Sequence, residues 1–320
     1  MSQYTGCNHY VGLFRPLQWL SPENKVIVIT GCDTGIGFQL AQHFHKKGCY
    51  VIATVLSIHS EGAIKLKNEL SDDHFHILQL NILDKKQIKQ VVDDVEHILN
   101  QNNLMLHALV NNAGISVFGE FDFCTIKHIE DQININLLGP IMLTKSFLHI
   151  LIRDKARIIN SSSVNAMQPF PGIGVYSATK KGIEAFSESL RMELHKFKVQ
   201  VINVRLGDYA RLTNIMTQHS RIVEQQEEEL KTHKQDLYGD YFRLYHESAL
   251  KNYGMFSPKS FESSSLFDDF DEAIFAVKPR KYILSATLSY RLIIYFLVFL
   301  PIDLREYILR RFTNVFVTEK

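Results

Sequence analysis

Short, nearly uninterrupted apolar runs alternate with stretches of helical periodicity from Lys25 to Arg205. The runs Val26–Thr30, Tyr50–Val55, Phe75–Leu80, Ala108–Asn111, Arg157–Ser161 and Gln200–Arg205 predict strands. Several are β-branched and apolar at consecutive positions, the pattern of parallel strands covered on both faces. Between them, Ile36–Lys47, Lys85–Gln101, Ile126–Leu151 and Tyr176–Phe197 predict helices. This alternation implies an α/β fold, a doubly wound parallel sheet. Right-handed crossovers then gather the strand C-terminal ends at one edge, where ligands bind.

The last third is patterned differently. Arg211–Leu237 reads as a polar helix whose acidic run Glu227–Glu229 is a solvated face. Ser257–Asp271 is rich in Ser and Asp and reads as a loop, and Lys281–Leu284 as a last strand. Only one stretch looks lipid-friendly, the eleven residues Leu292–Ile302. A spanning helix needs about 20 apolar residues, so this one is too short to cross a bilayer. With Arg291, Arg305, Arg310 and Arg311 around it, it suits a helix lying at a membrane surface, or else a core or dimer-contact helix.

Composition narrows the classes. The chain has 320 residues, 46% hydrophobic and 22% charged, which excludes global disorder and fibrous repeats. Thirty-five basic residues against 34 acidic ones give a formal charge of +1, so nucleic acid is not expected as a partner. Cys7, Cys32, Cys49 and Cys124 form no CxxC and no ligand set, as expected for unbridged thiols in a reducing compartment. Met1–Asn24 lacks the apolar run of a signal peptide, so an intracellular protein is expected.

Three motifs fall on the ligand edge. Thr30-Gly31-Cys32-Asp33-Thr34-Gly35-Ile36-Gly37 follows the first strand and opens the first helix. Glycines let the backbone turn tightly and approach a pyrophosphate, while the helix N-terminus supplies N–H donors and a positive dipole end. A plain tight turn is the alternative for such a loop taken alone. Cys32 reads as a small packing residue, although a helix N-terminus lowers a thiol pKa. Asn111-Asn112-Ala113-Gly114 follows the fourth strand, where Asn bonds local backbone in turns.

Tyr176-Ser177-Ala178-Thr179-Lys180 lies thirteen residues beyond Ser163. At i and i+4, Tyr176 and Lys180 share a helix face. A phenol ionises near pH 10, and a neighbouring ammonium is expected to lower that value toward the range of a useful base. Ser163, at the end of the fifth strand, can bond a substrate oxygen whose proton Tyr176 handles. His43 and His45 form an H-x-H, but such side chains point apart on a helix, so no metal site is expected.

In this order the motifs resemble the short-chain dehydrogenase/reductase superfamily, over Lys25 to Arg205. The resemblance rests on TGCDTGIG, NNAG, the NLLG of Asn136–Gly139, the SSS of Ser161–Ser163 and YSATK. TGCDTGIG and the GIEAFSESLRMEL of Gly182–Leu194 look like the branch holding retinol, 17β-hydroxysteroid and 3-hydroxybutyrate dehydrogenases.

The resemblance implies a Rossmann-type fold that binds NAD, with NADP left open. By it, Tyr176 is the acid/base, and Lys180 its partner and the holder of the nicotinamide ribose. Ser163 orients the reacting carbonyl or alcohol, with Ser162 the fallback one register away. Asn136 stabilises the active-site helix and a proton relay to Lys180. Gly31, Asp33, Thr34, Gly35, Ile36 and Gly37 make the pyrophosphate loop. Asn81 faces adenine, Asn112, Ala113 and Gly114 flank the adenine ribose, and Gly207 lies by the nicotinamide.

The chain departs from the family pattern in two places. Thr54-Val55-Leu56-Ser57, where an acid selects NAD or a base NADP, has neither, and Asp33 and Thr34 add no positive charge to the loop, which favours NAD. Leu206-Gly207 stands where Pro-Gly is usual, altering the loop beside the nicotinamide.

The expected organisation is an N-terminal segment 1–24, a catalytic domain 25–256 with a substrate loop from about 207, and an extension 257–320 acting as lid or membrane-surface helix. The expected reaction is reversible alcohol/carbonyl interconversion on a lipophilic steroid- or retinoid-like substrate, with ecdysteroids and fatty alcohols open. The rivals are an NADPH-dependent carbonyl reductase, using a basic side chain near Ile58–His59, and a non-enzymatic nucleotide-binding scaffold. By analogy, Ile126–Leu151 and Tyr176–Phe197 make a homo-oligomer. The expected place is the cytoplasm or the cytoplasmic face of the endoplasmic reticulum membrane.

Overall fold

A computed structural model describes residues 18–70, 73–233, 235–238, 240–252 and 254–314. Its strands are β1 (Val26–Ile29), β2 (Tyr50–Val55), β3 (Phe75–Gln79), β4 (Leu106–Asn111), β5 (Arg157–Ser163), β6 (Gln200–Leu206) and β7 (Tyr282–Ser285). They form one sheet in the order β3-β2-β1-β4-β5-β6-β7, with every neighbouring pair parallel. The order reverses direction at β1 and β4, which opens a crevice at the strand C-terminal ends. This is the expected α/β, doubly wound, Rossmann-type sheet.

The helices are α1 (Gly35–Lys46), α2 (Glu61–Glu69), α3 (Lys85–Gln101), α4 (Ile126–Ile133), α5 (Gly139–Asp154), α6 (Gly174–Leu194), α7 (His219–His233), α8 (Gln235–Tyr238), α9 (Tyr241–Asn252), α10 (Leu266–Phe275), α11 (Leu288–Phe299) and α12 (Ile302–Asn314). Strand β1 shows why both faces are covered. Ile27 and Ile29 enter one core with α1, α2 and α10, while Val26 and Val28 enter the other with α3, α5 and α6.

Helices α4 and α5 are joined by a π-helical turn, Asn134–Leu138. Pro140 has no N–H for the Asn136 carbonyl, and its ring would strike that oxygen in a regular α-helix. Widening the turn removes the conflict, and the Gly139 N–H closes on the Asn134 carbonyl five residues back. The whole helix Ile126–Asp154 is long and apolar enough to cross a membrane, so Leu292–Ile302 is not the only apolar stretch. Leu143, Phe147, Ile150 and Leu151 are fully buried under the sheet, which marks it as a core helix.

The last third holds the main departures from expectation. Helix α10 begins inside the expected loop Ser257–Asp271 and buries Leu266, Phe270, Ala273 and Ile274. Its acids accept from basic partners. Asp271 meets His43 at 2.9 Å and Lys47 at 2.8 Å, Arg280 Nε donates to both Glu272 oxygens at 2.8 and 3.0 Å, and Asp269 takes Arg291 at 3.3 Å. Arg291 therefore turns inward and is not part of a basic surface rim.

Helix α2 was not legible as a helix, and 213–218 is turn, so the polar helix begins only at His219. Within it, Glu227–Glu229 is exposed. The apolar run Leu292–Ile302 is the second half of α11 plus the turn at Pro301 that starts α12. Cys32, Cys49 and Cys124 are free thiols, and Cys7 lies outside the described residues.

Candidate active site

Tyr176, Lys180, Glu184 and Ser187 recur at helical spacing along α6 and share the face turned to β5 and β6. Lys180 Nζ donates to the Ser161 carbonyl at 3.0 Å. Glu184 Oε1 accepts from the Ser162 hydroxyl at 2.8 Å and from Arg205 Nε at 2.7 Å, and Oε2 accepts from the second arm of Arg205 at 2.9 Å. The Ser187 hydroxyl accepts from the Asn160 amide at 2.8 Å and lies 2.8 Å from Asn203 Oδ1. Asn160 in turn accepts from Asn111 at 2.8 Å. This polar ladder locks α6 to the sheet and so positions its first turns.

Ser163 ends β5. Its hydroxyl accepts from the Asn165 N–H at 3.1 Å and bonds the Tyr176 phenol. Strand alternation sends Ser162 to the Glu184 side, so Ser163, and not the fallback, faces the phenol. Burial pushes the Tyr176 phenol up, opposed by the bond from Ser163. Burial also lowers Lys180 to about 8, and its Nζ lies 5.6 Å from the centre of the Tyr176 ring. The expected lowering of the phenol by an ammonium is therefore corrected for the protein alone, where desolvation governs both groups.

Asn136 sits in the π turn. Its Nδ2 donates to the Ile115 carbonyl at 2.8 Å and to Thr179 Oγ1 at 3.3 Å, while Oδ1 accepts from the Ile115 N–H at 2.8 Å. It braces the segment after NNAG against α6. A Cβ at Gly114 would lie 3.1 Å from Asn136 Oδ1 and 3.5 Å from Lys180 Nζ, so this loop abuts both.

The glycine loop and NNAG form one unit. Thr30 Oγ1 accepts from the N–H groups of Asn112 at 2.9 Å and Ala113 at 3.0 Å, and Asn112 Nδ2 donates to the Thr30 carbonyl at 2.9 Å. The Asn112 amide thus ties the loop down. Gly31 has φ +70°, and a Cβ at Gly37 would meet the Gly31 carbonyl at 2.2 Å. Helix α1 starts after Thr34 with no side-chain cap on its first N–H groups. Ile36 and Cys32 are buried, and burial pushes the Cys32 thiol up, as suits a packing residue.

Asp33 supplies what the β2 end lacks in sequence. Its carboxylate accepts from the Leu56 N–H at 2.9 Å, the Ser57 N–H at 3.4 Å and the Ser60 hydroxyl at 3.3 Å. A Cβ at Gly62 would come within 1.7 Å of the Asp33 carbonyl, so this glycine admits the loop. An acid from the glycine loop therefore stands at the end of β2, where Thr54–Ser57 supply neither acid nor base. Asn81 is exposed and its Oδ1 accepts from the Leu83 N–H at 3.1 Å, a local turn. The Gly207 N–H donates to the Ser285 carbonyl at 2.7 Å, and Leu206 remains in the ladder, in register with Ser163 and Ser285.

Two aromatic groups pack outside the two sheet cores. Tyr290 and Ile294 of α11 pack with Val164, Met167 and Phe170, and Phe256 stacks on Tyr290 at 4.9 Å. Phe123, Phe242 and Tyr245 form the second, with Phe118. Burial pushes the Tyr290 phenol up, and Asp208 and Tyr176 add to that. His219, Tyr245 and His246 were not singled out from sequence, because nothing in linear spacing joins two helices across a turn.

The short chain dehydrogenase family model matches residues 25–222. Mouse D-beta-hydroxybutyrate dehydrogenase, mitochondrial, is 38% identical over 192 residues, covering 60% of this chain and 56% of that protein. Bovine 17-beta-hydroxysteroid dehydrogenase type 6 is 33% identical over 312 residues, covering 94% of this chain and 95% of that protein. A solved short-chain dehydrogenase from Streptomyces avermitilis has a TM-score of 0.53 at 29% identity, covering 58% of this chain and 67% of that one. The match thus spans just over half of the hydroxybutyrate relative. The chain belongs to the short-chain dehydrogenase family.

Proposed function

We propose that this protein is an NAD-dependent dehydrogenase that interconverts a lipophilic alcohol and its carbonyl. The observation that carries the reading is the meeting of Ser163, Tyr176 and Lys180 at the strand C-terminal edge, beside the glycine loop. A nicotinamide nucleotide, when bound, supplies the hydride chemistry. Gly31, Gly35 and Gly37, with the open N–H groups of α1, would hold its pyrophosphate, and Lys180 its nicotinamide ribose. Ser163 holds the substrate oxygen, Tyr176 takes or returns the hydroxyl proton, and Asn136 keeps Lys180 and the neighbouring loop in place.

Asp33 supports NAD. A carboxylate at the end of β2 accepts from a ribose 2′-hydroxyl and repels a 2′-phosphate. The two aromatic groups, one beside Tyr176 and one beside Gly172, support a lipophilic substrate of steroid or retinoid type. Leu288, Leu292, Phe296 and Phe299 of α11 face outward and support contact with a membrane surface, with Arg305 and Arg311 nearby. Exposed Leu138 and Met192 support a homo-oligomer through the α5 and α6 side.

The test is absorbance of the reduced nicotinamide with NAD or NADP and a panel of steroid, retinoid and short-chain alcohols. NADH formed with a lipophilic alcohol bears the proposal out. Nucleotide binding without turnover of any alcohol or ketone overturns it in favour of a non-enzymatic scaffold.

A further inference from the structure

Helices α7 and α9 bring His219, Tyr245 and His246 together. The two imidazoles are 2% and 4% exposed, with ring centres 5.3 Å apart. Neither nitrogen of either ring has a hydrogen-bond partner among the described residues, and the same holds for Tyr245 Oη and Gln226 Oε1. Six buried polar atoms are therefore unpaired in one cluster, where native interiors leave few. Aromatic rings surround it. Phe118 stacks on Tyr245 at 5.5 Å, Phe123 lies 6.0 Å from His246, and Phe242 lies 4.5 Å from His246.

The cluster is tied to both catalytic segments. The Gly119 N–H donates to the Gly172 carbonyl at 2.9 Å, joining the chain after NNAG to the chain before Tyr176. A Cβ at Gly172 would lie 2.1 Å from Tyr245 Oη, so the phenol sits directly on that junction.

Its charge state narrows the ligand. Burial lowers His246 to about 4 and also lowers His219, so both rings are neutral near pH 7. A neutral imidazole offers one donor and one acceptor. The acids bordering the cluster are already taken, Glu120 by Tyr241 and Asp122 by Tyr238. Glu120 still opposes an anion, since its charge reaches Tyr245. A hydroxyl or carbonyl oxygen matches neutral donors and acceptors inside apolar walls, whereas a charged group would lose its hydration with no counter-charge free.

We infer that His219, His246 and Tyr245 form a distal subsite for an uncharged oxygen at the end of the substrate remote from the reacting carbon. This rests on the oxidoreductase reading above and names the substrate class, an alcohol or ketone with an apolar body and a second neutral oxygen. Closing α7 and α9 without that oxygen buries unpaired polar atoms, which disfavours the closed form. A substrate that pairs them stabilises the closed form by the difference.

The test uses full-length protein with 15N-labelled histidine, loaded with NAD and titrated with decane-1,10-diol against decan-1-ol, and androstane-3,17-diol against androstan-17-ol. The His219 and His246 ring signals are expected to shift with at least one diol and not with its mono-ol. That diol binds about tenfold more tightly than its mono-ol, and the margin collapses in His219→Phe and in His246→Phe. Equal affinity within both pairs, no ring shifts, or ring signals reporting ordered water alone would overturn the inference. Tighter binding of 10-hydroxydecanoate or 10-aminodecan-1-ol than of the decanediol would overturn the uncharged-oxygen assignment. Repeating the titration in Tyr176→Phe separates the two readings, since binding and ring shifts need no turnover. Loss of turnover alone counts against the oxidoreductase reading only.

Discussion

The face of α6 and the α7–α9 pair both bury polar side chains, and they treat them in opposite ways. On α6, Lys180, Glu184 and Ser187 each have a protein partner at 3.0 Å or less. Between α7 and α9, the imidazoles of His219 and His246 have none among the described residues. A satisfied polar network fixes geometry before any ligand arrives, while an unsatisfied one makes the ligand part of the fold. The proton-handling end is therefore preorganised, and the recognition end is completed by what it recognises.

The largest expected effect tests the preorganised end. Tyr176→Phe keeps the ring and removes only the hydroxyl, so alcohol oxidation followed by NADH absorbance should fall about 10³-fold with nucleotide binding retained. Next comes the ladder itself. Glu184→Gln leaves Arg205 half-enclosed without its counter-charge, and urea unfolding should show a loss of about 3 kcal/mol. His246→Phe removes a polar group that has no partner, so its unfolding free energy should stay within about 0.5 kcal/mol of the parent or rise. Equal losses in the two variants would erase the contrast.

The contrast also has a pH signature. His246 titrates at about 4 in the folded protein against an ordinary 6.5, so the unfolded chain binds the extra proton between those values. Its contribution is complete above pH 6.5 and is lost as pH falls through 6.5 toward 4, on the order of 3 kcal/mol. Urea midpoints across that range should show the loss in the parent and a flatter profile in His246→Phe. An identical slope in both proteins would mean the His246 imidazole is not held neutral by burial. The smallest effect lies outside both regions. Asp33→Asn should narrow the preference for NAD over NADP about fivefold, read as the ratio of kcat/KM values.

Much of this was legible in the residues alone. Strands such as VIVI and YVIATV are apolar at nearly every position, Thr54 excepted, because both faces are covered, and that pattern needs no tertiary knowledge. The catalytic set was legible because Tyr176 and Lys180 are four residues apart and Ser163 ends a strand. Helix α10 was hidden because its surface looks like a loop. Asp269, Asp271 and Glu272 become tolerable in a core only beside Arg291, Lys47 and Arg280, which are remote in sequence. Asp33 was visible as a loop residue, but its reach to Leu56 depends on the absent side chain of Gly62. The histidine pair is legible only in three dimensions, since His219 and His246 approach through the packing of two helices.

Helix α10 carries one more consequence, for the order in which the protein can be made. The early segment near Trp19 bridges to Ala276, His107 reaches the Ile274 carbonyl, and Arg157 holds the carbonyls of Ala273 and Ala276. Residues synthesised first, midway and late thus meet at one short helix. A nascent chain ending near residue 256 has β6 as a bare strand edge and the apolar face above β5 and β6 uncovered, both templates for aggregation. The nucleotide loop and the catalytic helix emerge long before the element that seals their core, so an arrested chain would carry the active-site motifs without a closed domain to hold them.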